Sequence, residues 1–165
     1  MYDVVLLIER ELQALDADQA VSLHEGLEDT VRYHLLLPVE SSASLMAASM
    51  SAVGGGQIVP ITDPAVVEEV QDELISSGQA ELDASVALFT ARGQEVTGRL
   101  TEDDPIDALA ALVTETGSTE AIILTEPHLV SELFRLDWAS RAKRRLDIPT
   151  LHLLEHVPLD AQGDI

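Results

Sequence analysis

Residues 93–155 alternate strand, helix, strand, helix, strand, and that alternation restricts the possible folds more than any other feature of the chain. Glu95–Thr101 (EVTGRLT) reads as a strand. Asp104 follows as a helix cap with Pro105 at the first helical position, and Ile106, Leu109, Ala110 and Val113 supply a buried stripe that Gly117 ends. Asp107 stands where the acid of a capping box belongs. Glu120–Thr125 (EAIILT) is a continuous apolar run, as in strands buried on both faces. A basic helix then carries Leu129, Leu133, Phe134, Trp138 and Ala142 inward, and Pro149 leads into the strand Thr150–Leu154. Strands that alternate with helices form a parallel sheet, whose ligands sit at the carboxyl ends of the strands.

The first half fits the same plan. Val4 to Ile8 is a second apolar run, and residues 32–39 (RYHLLLPV) a third, with Pro38 marking its end. Between them Asp16 is expected to cap a helix reaching about Leu27, with Ala17, Ala20, Val21 and His24 on one stripe. Val67, Val70, Leu74, Leu82, Val86 and Phe89 keep one helical register across Ser76-Ser77-Gly78. This predicts a single kinked helix from Pro64 to Gly93. Residues 41–63, with Met46, Met50 and Gly54-Gly55-Gly56, are expected to be a flexible insertion. The chain thus reads as one three-layer α/β domain over residues 1–157 with a tail over 158–165. Its parallel sheet of five strands is ordered 3-2-1-4-5 or the related 2-1-3-4-5.

Composition narrows the functional classes. Hydrophobic residues are 46% of the chain but aromatics only 3%, so the core must be aliphatic. The absence of cysteine excludes a disulfide framework and thiolate metal sites. The start Met1-Tyr2-Asp3 has no basic segment of signal-peptide type, and no apolar run is long enough to span a bilayer, so a cytoplasmic location is expected. A net charge of −21 opposes binding to nucleic acid and to anionic membranes. Five of the nine bases, Arg135, Arg141, Lys143, Arg144 and Arg145, lie on the last helix. They are free to cover a solvated face or to meet acids of a second copy of the chain.

These elements resemble the universal stress protein A family along nearly the whole chain. The likeness is carried by Glu102-Asp103-Asp104-Pro105-Ile106-Asp107-Ala108-Leu109 at a helix start, Ala121-Ile122-Ile123-Leu124 as a fourth strand, and Pro149-Thr150-Leu151-His152-Leu153-Leu154 as a proline-led last strand. The resemblance implies a five-stranded parallel sheet in the order 3-2-1-4-5, stress-associated regulation, and a homodimer paired through the edge strand Thr150–Leu154. It also implies that Glu9, Val39, Leu124, Thr125, Pro127 and Asp137 occupy the positions of the family's nucleotide site. ATP-binding members carry an aspartate where this chain has Glu9. They carry Gly-x-x-Gly and then Gly-Ser or Gly-Thr where it has Leu124, Pro127, Asp137 and Trp138. Proline has no N–H to donate, leucine and tryptophan take up space, and aspartate repels phosphate, so ATP binding is not expected.

Glu9, Glu40, Glu102, Asp103, Asp104 and Glu126 are expected along one rim of the sheet. Such acids can ligate a divalent cation, but a helix cap and solvated loop acids explain them without one, and no metal site is assigned. His152 and His156 stand four apart, a spacing that brings two imidazoles to one metal on a helix but not on a strand. His128 beside Glu126 is the histidine nearest the expected ligand crevice. Neither a Gly-x-Ser-x-Gly elbow nor a Walker loop is present, and no enzymatic activity is expected. The alternative is a nucleotide-binding member with a non-standard, metal-assisted phosphate loop, in which Glu9 takes the adenosine side and Arg135 or Arg141 reaches phosphate.

Overall fold

The computed structural model describes residues 1–40, 64–127 and 132–162, the side chains of 132–137 excepted. The expected insertion over 41–63 and the side chains of His128, Leu129, Leu133, Phe134, Arg135 and Asp137 therefore lie outside the described residues. Five strands, β1 (Tyr2–Ile8), β2 (Val31–Pro38), β3 (Glu95–Thr101), β4 (Glu120–Thr125) and β5 (Thr150–Leu154), form one sheet in the order β3-β2-β1-β4-β5. Every pairing is parallel. The helices are α1 (Ala14–Ser22), α2 (Pro64–Ala91), α3 (Pro105–Thr116) and α4 (Glu132–Arg145).

Strand periodicity divides the core. Val4, Leu6 and Ile8 of β1 join Leu35 and Leu37 of β2 and Ile122 and Leu124 of β4 on the face covered by α1 and α2. Val5, Leu7, Leu36, Ala121 and Ile123 point the other way, onto α3 and α4. The middles of β1 and β4, Val4–Ile8 and Ala121–Leu124, are apolar on both faces because helices cover both. Among the described residues Tyr33 and Phe89 are the fully buried aromatics, their rings 4.8 Å apart, and the core around them is mostly aliphatic.

The helices show which local signals act. α3 starts and stops as its sequence demands: Asp104 Oδ1 accepts the N–H groups of Ile106 and Asp107, Pro105 opens the helix, and Gly117 closes it at φ 67°. The expected α1 cap is corrected. Gln13 is the N-cap, and Asp16 sits in the first turn with Oδ2 accepting the Gln13 N–H at 2.7 Å; the helix also ends at Ser22, well before Leu27. α2 is one continuous helix of 28 residues. It lies close on the sheet because β3 carries Gly98, where a Cβ atom would meet Leu82 at 2.9 Å and Val86 at 3.0 Å.

The start of the expected tail is built into the fold. A 3-10 turn at Leu159–Ala161 brings Gln162 back to β5, where its side chain accepts the Leu154 N–H at 2.8 Å and donates to Val157 O at 2.7 Å. Edge strand β5 shows Leu151 and Leu154 partly exposed. Leu153 between them is buried in the core.

Candidate functional site

With the order 3-2-1-4-5, the chain reverses its direction of travel across the sheet between β1 and β4. A crevice must open at their carboxyl ends. Glu9 follows β1 and Glu126 follows β4, so two of the expected rim acids border it. Toward β2 and β3 it widens into a cleft of about 580 Å³ lined by Val39, Gly78, Pro105 and Trp138. Six acids line it as well: Glu9, Glu40, Glu81, Glu102, Asp103 and Asp104. Arg10 is the one base among the described lining residues. Its Nε lies 3.2 Å from Glu126 Oε2.

At the strand ends, main-chain amides are already committed to the chain's own carboxylates. The Glu126 N–H donates to Glu9 Oε2 at 3.1 Å, and the Glu9 N–H donates to Glu155 Oε1 at 3.0 Å. The His156 N–H donates to Asp16 Oδ1. Amides at this edge of a parallel sheet are the groups that grip phosphate oxygens in anion sites. Here the amides of Glu9, Glu126 and His156 have anionic acceptors supplied internally.

Sequence reading places the remaining positions unevenly. Leu124 is buried in register with Ile8 and Leu153, so its side chain belongs to the core and not to a loop. Thr125 is also buried; its Oγ1 is 2.9 Å from His152 Nε2 and its carbonyl accepts the Glu155 N–H at 2.8 Å. Pro127 is exposed. Val39 lines the cleft and donates its N–H to Thr101 O at 2.8 Å. Asp137 and His128 fall outside the described side chains.

The basic helix is tied to acids of its own chain. Arg141 Nη2 donates to both carboxylate oxygens of Asp104 at 2.8 Å, and Arg145 Nε lies 3.7 Å from Asp107. Burial would raise the Asp104 carboxyl, but Arg141 and the amides of Asp107 and Ile106 outweigh it and hold the group below its ordinary range.

Glu155 is the site residue that sequence reading passed over. It follows β5 as Glu9 follows β1, and it is fully buried. Loss of solvent and the nearby Asp16 charge push its carboxyl up to about 8, with Glu126 adding to the rise and the Arg10 amide and guanidinium opposing it. Next to it, His156 has φ 62°, a left-handed conformation uncommon for residues other than glycine. Its Nδ1 lies 2.8 Å from Asp16 Oδ2. His152 and His156 are not a pair: one meets Thr125 and the other Asp16. Of the other histidines, His34 bridges Asp3 and Thr97, and His24 bridges Ala20 O and Glu120, both as buried structural links.

No protein-family profile matches the sequence, and no curated protein matches it. Solved structures do match. A member of the universal stress protein family from Burkholderia pseudomallei superposes with a TM-score of 0.55 at 18% identity, covering 92% of this chain and 96% of that one. The universal stress protein of Archaeoglobus fulgidus in complex with dAMP gives 0.55 at 14% identity, covering 92% and 97%. A family protein from Arabidopsis thaliana with AMP bound gives 0.56 at 10% identity, covering 98% of both chains. At these identities the likeness establishes the fold, which is the α/β fold of universal stress proteins. Among the described residues no helix is long and apolar enough to cross a membrane.

Proposed function

We propose that the chain is a universal stress protein-like regulatory or binding protein that does not bind ATP. In this reading it acts in the cytoplasm as a homodimer, without a catalytic centre. One observation carries the reading: the amides of Glu9, Glu126 and His156 donate to Glu155, Glu9 and Asp16, so these three strand-end amides among the described residues are not available to a triphosphate. Electrostatics act in the same direction. Among the described residues a triphosphate approaching the cleft meets six carboxylates and one guanidinium, and unit charges about 4 Å apart at a protein surface repel by roughly 4 kcal/mol. Residues 124–127 offer no compensating cradle, because Leu124 is core and Pro127 has no N–H. Homodimer formation is supported by the partly exposed Leu151 and Leu154 on the open edge of β5, since pairing there covers an unprotected strand edge. Isothermal titration with ATP and magnesium tests the central point. No saturable heat is expected up to about 1 mM, the affinity scale of a few weak contacts, whereas micromolar binding refutes the reading.

The second reading, a nucleotide-binding protein with a metal-assisted phosphate loop, is favoured by the cleft itself. Its volume of about 580 Å³ falls in the range of small-molecule pockets, and Val39 lines it beside Gly78. In that case nucleotide co-purifies with the protein, and acid-released supernatant absorbs near the ultraviolet maximum of adenine. Arg141 is a weak candidate for its phosphate ligand, being bonded to Asp104.

A further inference from the structure

Beyond the cleft, three groups of metal-ligating chemistry converge where β4 and β5 end. A carboxylate oxygen of Glu126, one of Glu155 and a ring nitrogen of His156 lie within 4.8 Å of one another. Glu155 is fully buried, and its Oε2 has no hydrogen-bond partner among the described residues, while Oε1 takes the Glu9 N–H. A buried carboxyl oxygen with no partner is a costly arrangement, and a bound cation relieves it by taking the place of the acid's proton, which leaves to solvent.

Asp16 organises the third ligand. It accepts the His156 main-chain N–H on Oδ1 and faces Nδ1 with Oδ2, so both the left-handed backbone at φ 62° and the ring are held by one buried carboxylate. The tautomer with its proton on Nδ1 donates to Asp16 and keeps a lone pair on Nε2. Metal-binding histidines are set up in this way, with a carboxylate on the far nitrogen fixing the tautomer and the ring orientation. Backbone strain held by such over-determined contacts concentrates at functional sites.

We propose that Glu126, Glu155 and His156 bind one divalent first-row transition ion, with Asp16 as the positioning carboxylate. Two carboxylates and an imidazole suit Zn²⁺ and its neighbours better than Mg²⁺, which prefers an octahedron of oxygens. Tetrahedral Zn²⁺ bonds of about 2.0–2.2 Å place ligand atoms roughly 3.4 Å apart, so the cluster, within 4.8 Å here, closes by up to about 1.4 Å on binding. Arg10 is the competing cation, with Nε 3.2 Å from Glu126 Oε2; its side chain is 61% exposed and can turn to solvent when the ion arrives. The site stands apart from the question of nucleotide in the cleft.

The test uses the full chain freed of metal with EDTA and titrated with Zn²⁺ in about 0.15 M salt, where diffuse attraction to surface acids is screened. The expected result is one ion per chain and a raised melting temperature. Glu155→Gln is expected to weaken binding at least 100-fold, and Asp16→Asn by about 10–100-fold, as for other partners of metal-bound histidine. His156→Asn, whose asparagine tolerates the left-handed backbone, gives an independent loss of binding without removing the turn. Substituted Co²⁺ is expected to show visible bands that change in His156→Asn. Absence of saturable Zn²⁺ binding up to about 1 mM, the scale of non-specific association, overturns the proposal. So does wild-type affinity in Glu155→Gln or His156→Asn, since scattered surface carboxylates then hold the ion.

Discussion

Replacing Glu155 by glutamine is expected to stabilise the protein at alkaline pH and to leave it nearly unchanged at acid pH. The carboxyl is fully buried and sits at about 8 instead of 4.5, the first cause being lost hydration and the second the charge of Asp16. Between those two pH values the folded chain keeps a proton that the unfolded chain releases, so stability falls as pH rises through the window and levels off above it. Each pH unit of that difference is worth about 1.4 kcal/mol, giving a ceiling of about 5 kcal/mol; relaxation and water entry reduce it to roughly 2–4 kcal/mol. Glutamine keeps a carbonyl oxygen for the Glu9 N–H and never ionises. The assay is urea unfolding of both proteins at pH 5 and pH 8.5 in EDTA, which removes any contribution from bound metal. Titrating groups that do not interact with Glu155 are common to both chains and cancel in the difference. The stability advantage of the variant is expected to grow by roughly 2–4 kcal/mol between the two pH values. A growth below about 0.5 kcal/mol, within the usual scatter of surface substitutions, or a change of opposite sign, refutes the argument.

Other outcomes follow from named contacts. Asp104→Ala removes the α3 cap and the Arg141 pair. It is expected to cost about 1–2 kcal/mol at pH 7 in thermal unfolding, mostly from the cap because the ion pair is partly exposed. The Asp104 carboxyl is held low, so its contribution is present above its unfolded value and fades as pH falls through its folded value; the deficit should shrink in strong acid. Gly98→Ala drives a Cβ into Leu82 and Val86 and is expected to destabilise by about 1–3 kcal/mol in urea titrations. Leu151→Glu, on the open edge of β5, is expected to convert a two-chain species to a single chain in light scattering, with the fold intact by circular dichroism.

Most of the fold was legible because its signals are local or periodic. Apolar runs such as Val4 to Ile8 and Ala121 to Leu124 belong to strands covered on both faces, and the Asp104-Pro105 start with the Gly117 stop marks α3 to the residue. Alternation and crossover handedness led to a parallel sheet with two possible strand orders, and the family resemblance implied the one observed, 3-2-1-4-5. What escaped depends on partners far away in sequence. Asp16 has the chemistry of a cap, but its carboxylate meets His156, a residue on the other side of the chain's length, and Gln13 starts the helix. Glu155 was open to discovery by the rule that exposed Glu9, namely an acid directly after a strand; its burial was not, because that comes from packing among α1, β1 and β4. Likewise a pattern of outward arginines on α4 does not reveal that Arg141 reaches Asp104 of the same subunit.

The central claim is that carboxylates of the chain have taken the strand-end amides that would otherwise hold phosphate. Amide-resolved nuclear magnetic resonance during titration with ATP and magnesium reads those groups one by one. The signals of Glu9, Glu126 and His156 are predicted to stay in place throughout, since each amide already has an anionic acceptor. Saturable movement of those three signals with nucleotide contradicts the account.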